Sequence, residues 1–266
     1  MKIYIHTDLE GISGITCTEQ VIIGNDPQNE YSSKRLMADL NAAVDGAFAG
    51  GATQVTVVDM HRGGRNFIVE LLDKRAVLDT KPNEKQWWCG FDESYDATMY
   101  IGAHAMVGTS RAFLCHTYSL DWHKYMINGR CFGELGMWAM IAGHFNVPLI
   151  MASGDLAACQ EAASFFNPVK TAVVKHAAGI NEAFAFPDDE AEKRIFNAAK
   201  ESISLIGSAK PFKPILPMEI KIEYVQRWGK NESERVDKLP GVERIDGRTV
   251  RRMSDSLLDI FIGRGE

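Results

Sequence analysis

Apolar and polar residues alternate from the first strand onward. Ile3, Ile5, Thr7 and Leu9 fall on one face of an extended chain, and Tyr4, His6, Asp8 and Glu10 on the other. A strand over residues 2–10 therefore carries Asp8 and Glu10 on one face if it persists that far. Gly11 and Gly14 then let the backbone turn sharply. Leu36, Leu40, Val44 and Ala47 recur at helical spacing, which predicts a helix over 32–49. Ser32 or Ser33 can cap it, and Gly50-Gly51 ends it. The short apolar run at 55–58 reads as a buried parallel strand, so this strand–helix–strand unit implies a right-handed crossover.

The pattern continues with a helix over 66–72, a polar connection through Pro82 and a strand over 97–101 that delivers His104. Strands follow over 112–116 and 125–127, the second ending in an Asn128-Gly129 turn that favours a hairpin. Glu134 opens a helix through 144, a buried strand spans 147–152, and Ser153-Gly154-Asp155 caps the next helix. After a helix over 189–206, Pro211, Pro214 and Pro217 mark a linker. Beyond it, 219–225 alternates, 241–251 reads as a strand pair around Asp246-Gly247, and 254–262 as an amphipathic helix. The expected fold is α/β: a three-layer main domain with a largely parallel sheet over 1–210, plus a small α+β lobe over 211–266. There is no internal repeat and no low-complexity segment.

Composition narrows the function classes. With 266 residues, 45% of them apolar and 24% charged, the chain suits a soluble globular protein. A net charge of −6 argues against nucleic-acid binding. Five cysteines without a C-x-x-C fit reduced thiols in the cytoplasm better than a disulfide framework or a thiolate zinc knuckle. His6 and Asp8 interrupt any signal-peptide core, and His144, Asn146 and Pro148 break the greasiest stretch, so no membrane span is expected.

Three strands each end on a metal-ligand side chain: Asp8, His61 and His104. An open α/β sheet gathers such residues in one crevice at the carboxyl ends of its strands. With Glu10 and Glu134, the set of two histidines and three carboxylates suits zinc. A two-metal site places its ions ~3.5–4 Å apart and shares a carboxylate. If Asp8 bridges, Glu10 and His104 complete one shell, and His61 and Glu134 the other. Structural readings remain open: the Asp8 and Glu10 pair can cap a helix, a strand-end histidine can be scaffold, and Glu134 can favour a helix N-terminus. Gly11 to Gly14 lacks a dinucleotide fingerprint, and Ser153-Gly154-Asp155 lacks a nucleophile elbow. His123, His144 and His176 read as structural or surface residues, and Cys115 as core.

Asp8-Leu9-Glu10-Gly11-Ile12-Ser13-Gly14, Asp59-Met60-His61, Gly102-Ala103-His104-Ala105, Cys115-His116-Thr117 and Gly133-Glu134-Leu135-Gly136 follow the order and spacing of a known family. The chain resembles the zinc D-aminopeptidases associated with bacterial dipeptide-transport operons. That resemblance implies two zinc ions per subunit, with Asp8 bridging them and Glu10, His61, His104 and Glu134 completing the shells. It also implies His116 as the catalytic residue, short peptides as substrates with a D-amino-acid preference, and a ring-shaped homodecamer enclosing the active sites. His6 stands where relatives often carry a small polar residue, and Met60 where a serine is common. Two other functions remain open: a different binuclear amidase or esterase on the same scaffold, and a non-catalytic assembly protein stabilised by metal.

Overall fold

A computed structural model describes residues 1–22, 26–80, 87–88 and 90–262. The chain begins with β1 (Lys2–Thr7), α1 (Asp26–Ala49), β2 (Gln54–Asp59), β3 (Ala76–Leu78) and β4 (Ala97–Ala103). A hairpin of β5 (Trp122–Ile127) and β6 (Arg130–Cys131) leads into α2 (Glu134–His144), β7 (Leu149–Asp155) and α3 (Leu156–Phe165). Then come β8 (Lys170–Ala177), β9 (Ala183–Ala185) and α4 (Asp188–Ser202). The C-terminal part adds β10 (Met218–Tyr224), α5 (Lys230–Val236), β11 (Val242–Arg244) and β12 (Thr249–Ser254).

The larger sheet has the order β3-β2-β1-β4-β7-β8-β9, parallel throughout except for β9. Strand addition runs outward from β1 to β3 on one side and from β4 to β8 on the other, so the order reverses between β1 and β4. Such a reversal leaves a crevice at the carboxyl ends of the two strands.

Both faces of this sheet are buried, as parallel pairing requires. Ile3, Ile5, Val55, Val57, Met99 and Ile101 pack with Leu36, Leu40 and Val44 of α1 and Ile195 and Ala199 of α4. On the opposite face, Tyr4 and Tyr100 meet Trp138 of α2. The far side of α2 is covered in turn by Tyr125, Ile127, Ile220 and Ile222 of a second, antiparallel sheet, ordered β11-β12-β10-β5-β6. A helix held between two sheets needs no polar face, and every residue from Leu135 to Gly143 is buried. That explains the greasy stretch: among the described residues, no helix is long and apolar enough to cross a membrane.

The structure departs from the sequence pattern where side chains take over backbone groups. Residues 66–72 hold only a short 3-10 turn at Val69–Leu71, because the Asp59 carboxylate accepts from the amides of Asn66 (2.5 Å) and Phe67 (3.2 Å). Residues 254–262 form turns, not a helix: the Ser254 and Ser256 hydroxyls accept from the amides of Ser256 and Leu258. No strand forms over 112–116, since Leu114 adopts φ 48° in its middle. α1 starts before Ser32, whose hydroxyl donates to the Gln20 carbonyl instead of capping. The connection through Pro82 lies outside the described residues.

The stretch 211–266 does not own its sheet. β10 pairs with β5, Ile220 opposite Ile127 and Ile222 opposite Tyr125, so residues 122–131 supply two of the five strands. A segment this short buries too little by itself. The Asn128-Gly129 hairpin turn does form, with both residues at positive φ.

Gly102 is the most constrained position at the switch. It adopts φ +81°, and a Cβ there would lie 2.2 Å from the Asp8 carbonyl oxygen. Gly102→Ala is therefore expected to cost about 2–4 kcal/mol, from left-handed strain and overpacking together. Urea denaturation reads this directly, and an unchanged midpoint would show that the two backbones can separate freely.

Candidate metal centre

Regular pairing carries β1 up to the site and no further. The Asp8 amide still donates to the Ile101 carbonyl (2.9 Å), and the Gly11 amide to the Gly102 carbonyl (2.8 Å). The loop from Asp8 to Gly14 thus lies directly on the end of β4. Only glycine fits at residue 11, where a Cβ would come within 2.1 Å of the Ala103 oxygen. Asp8 and Glu10 leave from the loop after β1, His61 from the turn after β2, His104 from just past the end of β4 and Glu134 from the first turn of α2. His116 comes from the irregular segment between β4 and β5, not from a strand.

These six side chains cluster together, and all but His104 line one cavity. Asp8 sits centrally, with Oδ1 3.0 Å from His61 Nδ1 and Oδ2 3.4 Å from His104 Nε2. His61 Nδ1 also lies 3.1 Å from Glu10 Oε2, and His104 Nε2 3.3 Å from Glu134 Oε1. Donor atoms of Asp8, Glu10 and His104 fall within 4.8 Å of one another, as the expected division of ligands has it. The direct contacts are different, placing His61 beside Glu10 and His104 beside Glu134. His116 stacks on His104 with ring centroids 4.1 Å apart, and its Nε2 is 3.6 Å from Glu134 Oε1.

Each imidazole is held by one nitrogen and offers the other. His61 Nε2 faces the Val21 carbonyl (3.3 Å), His104 Nδ1 the Ala105 carbonyl (3.1 Å) and His116 Nδ1 the Leu114 carbonyl (2.8 Å). Carbonyls accept only, so these nitrogens carry the proton and the opposite ones face the carboxylates. This outer-shell arrangement is how a histidine is oriented toward a metal. Glu10 Oε2 and His104 Nε2 are buried with only charged neighbours at 3.1–3.4 Å, which suits donors aimed at a cation.

Electrostatics point the same way. Burial opposes charging His61, yet Glu10 and Asp8 lift it to about 11. His104 is likewise raised well above its usual value, by Glu134 and Asp8 against burial. Burial also works against ionised Asp8, but hydrogen bonds from His104 and His61 hold it well below the ordinary carboxylate range. Glu134 is lowered for the same reason, chiefly by His104. A buried carboxylate cluster demands positive charge, and the metal-free site takes it from protonated imidazoles.

The sequence pattern missed three supporting groups. Lys175, on β8 and fully buried, donates to the carbonyls of Glu10 (2.5 Å), Ile12 (2.7 Å) and Ile15 (2.8 Å), gripping the ligand loop from below. Burial pushes its amine down to about 7 in spite of Asp155, Asp39 and Glu10 nearby. Glu161 accepts from the Met106 amide (2.7 Å), just beyond His104, and burial raises its carboxyl to about 7. The Tyr100 hydroxyl donates to Asp8 Oδ2 (3.3 Å). A lysine within an apolar strand run, Lys175 after Ala172, Val173 and Val174, was the available signal. Cys115 also differs from the core position expected: it is half-buried and lines the cavity, because Leu114 turns left-handed. His123, His144 and His176 are exposed, as expected, and Cys17, Cys115, Cys131 and Cys159 are free thiols.

The cavity measures ≈ 610 Å3, within the range of small-ligand sites. Met60, Trp87, Leu120 and Ile180 supply apolar walls beside the carboxylates. Lys175→Met removes the donor to three buried carbonyls while sparing the cost of burying an amine. The expected net loss is about 2–4 kcal/mol of stability, with weaker metal binding, since Glu10 belongs to the released loop. Denaturation and zinc titration of the variant check this, and unchanged values for both would show that the loop holds itself.

Comparison with known proteins identifies the family and the fold. The family model for D-aminopeptidases, peptidase family M55, matches residues 1–262. A curated D-aminopeptidase of Bacillus subtilis (strain 168) is 28% identical over 266 residues, covering 98% of this chain and 94% of its own length. Among solved structures, the Zn-dependent D-aminopeptidase DppA from Bacillus subtilis, described as a self-compartmentalizing protease, superposes with a TM-score of 0.88. Its sequence is 27% identical, with 98% of this chain and 94% of that one covered. With nearly the whole chain matched and the strand-end residues converging on one cavity, the protein belongs to the D-aminopeptidase family M55.

Proposed function

We propose that this chain is a zinc aminopeptidase that holds two ions and removes the N-terminal residue of short peptides, with a D-amino-acid preference. The observation that carries the reading is the orientation of the imidazoles: each is pinned to a backbone carbonyl by one nitrogen and turns the other toward shared carboxylates. Asp8, with one oxygen toward His61 and one toward His104, suits a bridging ligand. Glu10 and His61 then belong to one shell and His104 and Glu134 to the other, following the direct contacts. Bound zinc supplies a Lewis acid for the scissile carbonyl and lowers the pKa of water. Assembly into a closed ring, of the kind implied for a self-compartmentalizing relative, would limit substrates to short peptides.

His116 is assigned to proton transfer. Its side chain is 19% exposed against 2% for His104, and it lines the cavity. With Nδ1 held by Leu114, Nε2 is free to take a proton from the attacking water and pass it to the departing amine. Such help is worth about 10²–10⁴-fold. A second reading has one observation in its favour: His104, His116 and Glu134 also bring their donor atoms within 4.8 Å, so His116 could be a ligand.

One set of measurements separates these readings. Wild-type protein should contain two zinc ions per chain, scatter light as a large oligomer and hydrolyse D-aminoacyl peptides. His116→Ala should keep zinc and assembly but lose most of kcat, whereas His104→Ala should lose zinc and turnover together. Loss of zinc from His116→Ala would make it a ligand, and full activity would make it scaffold.

Zinc binding should also release protons. His61 (raised to about 11) and His104 (raised well above its usual value) hold protons at neutral pH in the metal-free chain, and zinc needs their lone pairs. Roughly one to two protons should leave per chain at pH 7, and affinity should rise with pH until those sites are empty of protons. Calorimetric titration in buffers of different ionisation enthalpy counts them; no release would mean that these imidazoles are not both ligands.

A further inference from the structure

The cavity is lined by three carboxylates and, among the described residues, by a single lysine or arginine, Arg62. Arg62 directly follows His61, is exposed, and makes no ion pair with any described residue. Its backbone is left-handed, with φ 46° and ψ 43°, and Gly63 (φ 83°) and Gly64 (φ 76°) continue the turn in the same region. Glycine adopts this conformation without cost, whereas a residue with a side chain pays strain. At Arg62 the chain nevertheless presents a long cationic side chain.

The surrounding turn is rigid enough to hold it there. The Gly64 amide donates to the His61 carbonyl (3.0 Å), which also accepts from Asn66 Nδ2 (2.8 Å). Asn66 is fixed in turn by Asp59, through its amide (2.5 Å) and its side chain (3.0 Å). Strained residues persist only where neighbours over-determine them, and they concentrate at binding sites. The Arg62 side chain is exposed and lines the cavity, so the guanidinium is available to a ligand at the opening.

We propose that Arg62 binds the free C-terminal carboxylate of the peptide substrate and thereby selects short peptides with an unblocked carboxyl end. This rests on the aminopeptidase reading above. A peptide with free ends carries a positive amine and a negative carboxylate. The carboxylate cluster favours the first end, and a guanidinium matches the second with paired N–H donors. Length agrees: Arg62 is one residue from a candidate ligand, a Cα step of ~3.8 Å, and each extended substrate residue spans ~3.3–3.6 Å. Lining the same cavity as the carboxylates, Arg62 suits a carboxylate one or two residues past the scissile bond, as in a dipeptide or tripeptide.

The test compares D-alanyl-D-alanine with its C-terminal amide on the zinc-loaded protein. Wild type should favour the free acid, and Arg62→Ala should lower the acid-to-amide ratio of kcat/KM by about 10–100-fold, chiefly through KM. Arg62→Lys should recover part of the ratio. Arg62→Gly, which relieves the backbone strain, should behave as Arg62→Ala does. A ratio unchanged in Arg62→Ala, or a wild type indifferent to the carboxylate, overturns the assignment while leaving the aminopeptidase in place. A wild type that hydrolyses neither compound overturns both readings.

Discussion

Three carboxylates, Asp8, Glu10 and Glu134, meet at the switch between β1 and β4, and much of the nearby structure serves to keep that charge in a largely dry place. An isolated buried carboxylate costs several kcal/mol, so each must be met by positive charge or by amides. The two imidazoles of His61 and His104 stand against all three. The Leu9 amide donates to Asp8 (2.8 Å) and the Tyr118 amide to Glu134 (2.7 Å). Below the loop, the buried Lys175 amine donates to backbone carbonyls without touching a carboxylate oxygen of the cluster. A site that attracts cations is the natural result, because the carboxylates keep lone pairs facing the cavity that these donors do not use.

Bringing those groups together is a matter of backbone approach. Gly11, Gly102 and Gly154 lie where a Cβ would strike the carbonyls of Ala103 or Asp8 at 2.1–2.2 Å. The loop after β1 and the end of β7 thus approach the end of β4 closer than side chains would permit. Asp39, buried in α1, secures the same loop from another side by accepting from the Ser13 amide (2.7 Å) and hydroxyl (2.5 Å). Burial raises the Asp39 carboxyl to about 6 despite these donors. The loop that carries Asp8 and Glu10 is therefore positioned by helix, strand and glycine contacts together.

The cavity has a regular floor and a strained rim. Its floor is made from strand ends in parallel register, whereas Arg62, Leu114 and Tyr118, all at positive φ, stand around the opening. The segment with Leu114 and Tyr118 sets His116, pinning its ring against His104. Rigid strands define where a cation can sit, and irregular loops define what can approach it, a division typical of α/β enzymes.

Much of this was legible in the residue pattern alone. The alternation in β1, the helical stripe of Leu36, Leu40 and Val44, the Asn128-Gly129 hairpin and the Asp155 cap, which accepts from Ala158, are local effects and form as expected. Strand-end positions likewise placed Asp8, His61 and His104 at one crevice, since topology forces parallel strands to end together. Other features depended on contacts far apart in sequence. The amides of Asn66 and Phe67 were claimed by Asp59, Ile220 and Ile222 found their partners in β5, and Lys175 reached across to Glu10. The pairing of His61 with Glu10 and of His104 with Glu134, the irregular path around His116 and the place of Arg62 in the cavity wall belong to the same class. Periodicity records which face of an element is buried; which distant group completes a hydrogen bond or meets a charge is decided only when the layers pack.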